Sequence, residues 1–144
     1  MNETYIKKAV SKNEYKLYKL LQNLYSDFIP KLINYDEKDK ELTMFKINNL
    51  CVSDMYGENF NDVPLELIKK IRNIVKILYE DGFNYPDITG YNFIEYNGKV
   101  WIIDFEHCFC KGSYKILTNL EKKHIKFIED FVYNDINTWN CRFI

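Results

Sequence analysis

Arginine is nearly missing from this chain. Arg72 and Arg142 are the only two, and lysine carries almost all the positive charge. The formal net charge is −1, so no basic excess argues for a nucleic-acid backbone or an anionic membrane surface. Lys7, Lys8 and Lys12 make a weak local cluster that reads as a solvated face. With 3 prolines and 5 glycines, the composition is not that of a disordered or fibrous chain. No apolar run approaches the length of a transmembrane helix, and the polar start Met1-Asn2-Glu3-Thr4 is unlike a secretory signal. The expectation is an intracellular, cytoplasmic protein with no nucleic acid and no membrane among its partners. The 4 cysteines (Cys51, Cys108, Cys110, Cys141) do not make a disulfide framework in a chain of this length. His107, Cys108 and Cys110 crowd together, but their spacing is wrong for zinc and a second pair is missing.

What is abundant is apolar and aromatic: 47% and 17% of the chain, with 12 tyrosines and 10 phenylalanines. That is enough for a buried core in one domain spanning 1–144. Ser11-Lys12-Asn13-Glu14 fits a capping box, opening a helix whose stripe is Leu17, Tyr18, Leu21, Leu24, Tyr25 and Phe28, before Pro30. Residues 31–35 and 41–47 read as two strands around a charged turn at 36–40. A short helix fits within 48–57, and 58–62 is loop. A longer helix runs from about Pro64 to Asp81, with Asp62 as cap, Gly82 as stop, and Leu65, Ile68, Ile71, Ile74, Val75 and Leu78 as its inner stripe. Thr118-Asn119-Leu120-Glu121 opens a last helix to about Tyr133, with Leu120, Ile125, Ile128, Phe131 and Val132 inward. Trp139 anchors the tail by packing, while His107 and His124 read as surface or half-buried. The order is helix, hairpin, helix, hairpin, helix, an α+β fold with segregated elements.

Chemistry concentrates between residues 84 and 106, "NYPDITGYNFIEYNGKVWIIDFE". Asn97-Gly98 between two β-prone runs is a strong hairpin signal. That turn sets Tyr96 opposite Lys99, Ile94 opposite Trp101 and Asn92 opposite Ile103. Asp104 then falls opposite Tyr91, at the same open end as Asn92. An ideal pleat would point Asn92 and Asp104 to opposite faces, so they converge only if the ladder ends there. Asp87 lies just upstream, with Pro86 stiffening its approach and Gly90 permitting a backbone turn. Two carboxylates and a carboxamide are oxygen donors of the kind Mg²⁺ prefers. One of them could serve as a base toward a hydroxyl. The bland alternative is two turn residues and a strand terminator.

A helix, a loop with Asp-x-x-x-x-Asn, a hairpin and Ile-Ile-Asp-Phe together resemble the catalytic centre of the protein-kinase-like fold. The resemblance implies that Asp87 faces the acceptor hydroxyl, and that Asn92 and Asp104 hold magnesium on ATP phosphates. It extends upstream with less specificity. Residues 1–47 would be a remnant small lobe and 48–144 a reduced, compact helical large lobe. Glu14 would be the ion-pairing glutamate, unless the capping box already accounts for it. Lys7, or else Lys8, would contact phosphate, unless it is only a solvated lysine. Met44 would flank the adenine pocket, or else is ordinary core. The sequence departs from the family in several places. No glycine-rich loop precedes Lys7, Tyr85-Pro86 stands for the usual His-Arg, Thr89 for lysine, and Glu106 for glycine, as in choline-kinase-like enzymes. The implied function is a minimal phosphotransferase using ATP and Mg²⁺. The alternatives are a pseudokinase-like module whose protein partner completes or regulates the small lobe, and an α+β interaction domain with no nucleotide site.

Overall fold

A computed structural model describes residues 3–112 and 116–143. Strand β1 (Thr4–Lys7) leads into helix α1 (Lys12–Leu24), followed by β2 (Leu32–Asp36) and β3 (Glu41–Phe45). Helix α2 (Val52–Tyr56) and a 3-10 turn (Phe60–Asp62) precede α3 (Leu65–Glu80). Strands β4 (Phe83–Asn84), β5 (Phe93–Tyr96), β6 (Lys99–Ile102) and β7 (Phe109–Cys110) follow, then α4 (Asn119–Tyr133) and a 3-10 turn (Cys141–Phe143). These form an antiparallel sheet ordered β1-β3-β2 and two strand pairs, β4-β7 and β5-β6. The architecture is α+β.

Local chemistry explains the element ends. The Ser11 hydroxyl accepts from the Glu14 N–H at 3.1 Å and starts α1. At α4 both halves of a capping box form between Thr118 and Glu121. Helix α3 starts later than expected: Pro64 is its N-cap, and Asp62 belongs to the preceding 3-10 turn. Helix α1 is shorter than its apolar stripe, because Tyr25 to Ile29 fold back in tight turns. The Asn97-Gly98 turn has φ of 52° and 73°, the left-handed pair that a two-residue hairpin needs. The β5-β6 register pairs Tyr96 with Lys99 and Ile94 with Trp101.

One cluster of buried side chains runs from Val10 and Tyr18 through the α3 stripe to Phe131 and Trp139. Three leucines expected inside lie outside it: Leu24, Leu65 and Leu120 are 56%, 65% and 53% exposed. All three sit in the terminal turns of their helices, where no neighbouring element covers the stripe. Leu67 takes the inner position on α3 instead. Ile125 is only half-buried, while His124 is buried beside it on α4 and stacks on Phe143 at 5.3 Å. Trp139 packs against Phe60 at 4.8 Å. The short pair β4-β7 falls in a stretch that reads as loop, since two-residue strands leave no periodicity to read. It ties the entry and exit of the segment 84–110 together. No described helix is long and apolar enough to cross a membrane.

Candidate active site

Strand β1 carries Lys7 into the interior of the molecule. Its Nζ donates to Glu14 Oε2 at 2.6 Å and to Asp104 Oδ1 at 2.8 Å. The side chain is 17% exposed, so Lys7 is not the solvated lysine that the terminal cluster suggested. Lys8, one residue on, is exposed. Ser11 and Glu14 form only half of the anticipated capping box, because the Glu14 carboxylate turns to Lys7. Burial alone would lower the Lys7 pKa; hydrogen bonds to Asp104 and Glu14 outweigh it and hold the ammonium charged. Burial raises the Glu14 pKa, against the pull of Lys7.

A file of aromatic rings fixes the elements that bear these groups. Tyr18 of α1 meets Phe105 edge-on at 5.4 Å, Phe105 meets Tyr85 at 5.6 Å, and Tyr85 meets Phe93 at 6.1 Å. Phe105 follows Asp104, and Tyr85 stands just ahead of Asp87. Packing therefore couples the helix carrying Glu14 to both aspartates. The Tyr18 hydroxyl donates to Pro30 O at 2.6 Å and lies 3.3 Å from Met44 Sδ.

The hairpin ladder stops at Phe93–Ile102, although the Ile103 N–H still reaches Asn92 O at 3.1 Å. Beyond that point the backbone leaves the pleat. Asn92 is 8% exposed, and its Nδ2 donates to the Asp87 carbonyl at 2.9 Å. Its nitrogen is thus committed to the loop, and the amide oxygen is left for another partner. Asp104 Oδ1 takes Lys7 and the Glu106 N–H, the latter at 3.0 Å, and Oδ2 takes neither. The Asp87 carboxyl is raised to about 6, by burial first and then by the charge of Asp104, with an Asn92 hydrogen bond opposing. A carboxyl raised to that value changes charge close to neutral pH. Among the described residues no group of three or more His, Cys, Asp or Glu could hold a metal ion. A metal at Asn92 and Asp104 would therefore need further oxygens from a bound phosphate, which is how Mg²⁺ is ordinarily held on nucleotides.

Beside this cluster lies a cavity of about 250 Å³. Tyr5 and Met44 line it from the sheet, Ile94 and Ile103 from the hairpin, and Phe45 to Ile47 and Asn49 from the connecting segment. Met44 is 1% exposed and serves both as core and as cavity wall. Three larger grooves, about 370, 430 and 310 Å³, are lined by neither Lys7 nor Asp104.

Gly90 differs from expectation. It is not among the glycines with positive φ. A Cβ there would meet Ser53 Oγ at 2.1 Å, and the Ser53 N–H donates to Gly90 O at 2.9 Å. The glycine admits the start of α2 against the loop. Asn140 was not anticipated at all. It is 1% exposed, and its Nδ2 donates to Pro86 O at 2.7 Å. A single asparagine in a tail carries no periodic or motif signal.

No protein-family model matches the chain, and no curated protein matches it. Among solved structures it is similar to the Legionella pneumophila Lpg2603 kinase bound to IP6, with a TM-score of 0.56 at 18% identity. The match covers 92% of this chain and 53% of that kinase, so the chain spans about half the length of the protein it resembles. At that identity the likeness is one of fold.

Proposed function

We propose that the chain is a reduced kinase-like phosphotransferase that moves the γ-phosphate of ATP to a hydroxyl acceptor. The observation that carries the reading is the Lys7 ammonium held between Glu14 and Asp104, next to a mostly apolar cavity. In this reading residues 1–47 act as a remnant small lobe and 48–144 as a reduced large lobe. Met44, Tyr5 and Ile94 would sandwich the adenine. Lys7 would contact phosphate, kept in place by Glu14, to which it is hydrogen-bonded. Asn92 Oδ1 and the Asp104 carboxylate would hold Mg²⁺, which supplies charge neutralisation on the phosphates when bound. Asp87 would orient the acceptor hydroxyl and take its proton, a role suited to a carboxyl that titrates at about 6. Catalysis on this plan is positioning and electrostatics.

Ligand that binds only the native state raises apparent stability by about 2.7 kcal/mol at a hundredfold excess over its Kd. Mg²⁺-ATP is therefore expected to raise the thermal midpoint of the wild type, and Asp104→Asn to abolish most of that rise. No shift in either protein at millimolar Mg²⁺-ATP would sink the nucleotide reading.

A second reading rests on a different observation. β1 is an edge strand, and its Tyr5 and Ile6 are 46% and 50% exposed. An open, apolar edge of this kind suits strand addition by a protein partner. On that view the chain is a pseudokinase-like binding module. Nucleotide binding without any phosphate transfer would favour it over the enzyme.

A further inference from the structure

The segment 85–88, which carries Asp87, lies in neither helix nor strand. Its internal bonds, Ile88 N–H to Pro86 O at 2.8 Å and Thr89 N–H to Asp87 O at 3.0 Å, reach only two residues and attach it to nothing else. Besides the packing of buried Tyr85 and Ile88, two asparagines hold it, Asn92 nearby and Asn140 far along the chain. Asn92 Nδ2 donates to Asp87 O at 2.9 Å. Asn140 donates on both sides of Asp87: its Nδ2 to Pro86 O at 2.7 Å and its backbone N–H to Ile88 O at 2.9 Å. Three successive carbonyls are thereby held by amide donors. The Asn140 amide is itself oriented, because its Oδ1 accepts from the Arg142 N–H at 3.2 Å and so turns its nitrogen toward Pro86. Trp139, 3% exposed and packed on Phe60, fixes the tail from which Asn140 projects.

We infer that Asn140 is a positioning residue for phosphoryl transfer, clamping the backbone on either side of Asp87 so that its carboxylate stays aimed at the acceptor. This rests on the reading of Asp87 as the base. A purely architectural asparagine would contribute stability alone. One that sets the aim of the base acts on turnover and leaves the nucleotide cavity untouched, because no lining residue of that cavity belongs to the tail.

The test compares Asn140→Ala with Trp139→Phe, which loosens the same tail through packing and keeps both Asn140 bonds. ADP formation from Mg²⁺-ATP, which reports transfer to any hydroxyl including that of water, is measured on the full chain at a temperature where every variant is folded. Asn140→Ala is expected to lower kcat by roughly 30- to 100-fold with the KM for ATP within about threefold, since small misplacements of a reacting group cost on that order. Trp139→Phe is expected to stay within about threefold of wild type in kcat at a comparable loss of thermal midpoint. Should Asn140→Ala not fold, Asn140→Ser, whose hydroxyl falls short of Pro86, is read in the same way. An active wild type in which Asn140→Ala keeps its kcat, or loses it only in step with Trp139→Phe, overturns this inference alone. A wild type with no turnover overturns the kinase reading and this inference with it.

Discussion

Asp87 holds its charge at a cost. Its carboxyl titrates at about 6 against an ordinary 3.8, with burial the main cause. A raised acid favours folding below its unfolded pKa, and that contribution is lost as pH climbs through the folded value. At about 1.4 kcal/mol per pH unit the rise amounts to roughly 3 kcal/mol, and solvent reaching the partly exposed side chain screens this to about 1–2 kcal/mol. Asp87→Asn is therefore expected to be more stable than wild type at pH 7 and equal to it below about pH 4, as read by urea midpoints at the two pH values. A midpoint unchanged at pH 7 would show that the carboxylate is better solvated than its surroundings suggest. In the proposed phosphotransferase the same group would set the pH dependence of transfer. The rate should rise through about pH 6 as the base deprotonates, and the acidic limb should be missing from Asp87→Asn, whose residual rate is low. At this scale the sequence was informative about identity and silent about partners. Asp87, Asn92 and Asp104 stand out as a motif, whereas the bond from Lys7 to Asp104 spans most of the chain and leaves no local trace.

Among elements, α2 and the loop carrying Asp87 meet in close contact. A methyl group at Gly90 would collide with Ser53. Gly90→Ala should cost about 1–3 kcal/mol, the usual range for overpacking. Ser53→Gly should recover a large part of that in the double variant, because it removes the Oγ and Cβ that the new methyl would strike. Denaturant unfolding of both single variants and the pair gives the coupling energy. Strict additivity would mean that the strain lies elsewhere. The hairpin teaches the opposite lesson about legibility. Asn97-Gly98 set its register from sequence alone, since only a few residues tolerate two consecutive left-handed conformations. Gly90 looked like a turn residue for the same reason, yet its role is close approach, which depends on what packs against it.

At the scale of the whole molecule, Phe105 joins α1 to the loop that carries Asp87. It is 1% exposed and touches Tyr18 of α1 on one side and Tyr85 of the loop on the other. Phe105→Ala should cost about 3–5 kcal/mol through the cavity it leaves. Because the ring links both parts, amide exchange should speed up together in α1 and in 83–93. Faster exchange in only one of them would show that the aromatic file does not transmit packing. Local signals in the sequence determined the helices, the hairpin register, the α+β order and the Asp87-x4-Asn92 and Asp104-Phe105 motifs, because caps, turns and periodicity act within a few residues. Only the tertiary structure decided that Glu14 faces Lys7 instead of its own helix end, that Lys7 reaches Asp104, and that Asn140 grips the loop around Asp87. Those contacts join residues far apart along the chain, and their partners are chosen by packing, which no short stretch of sequence records.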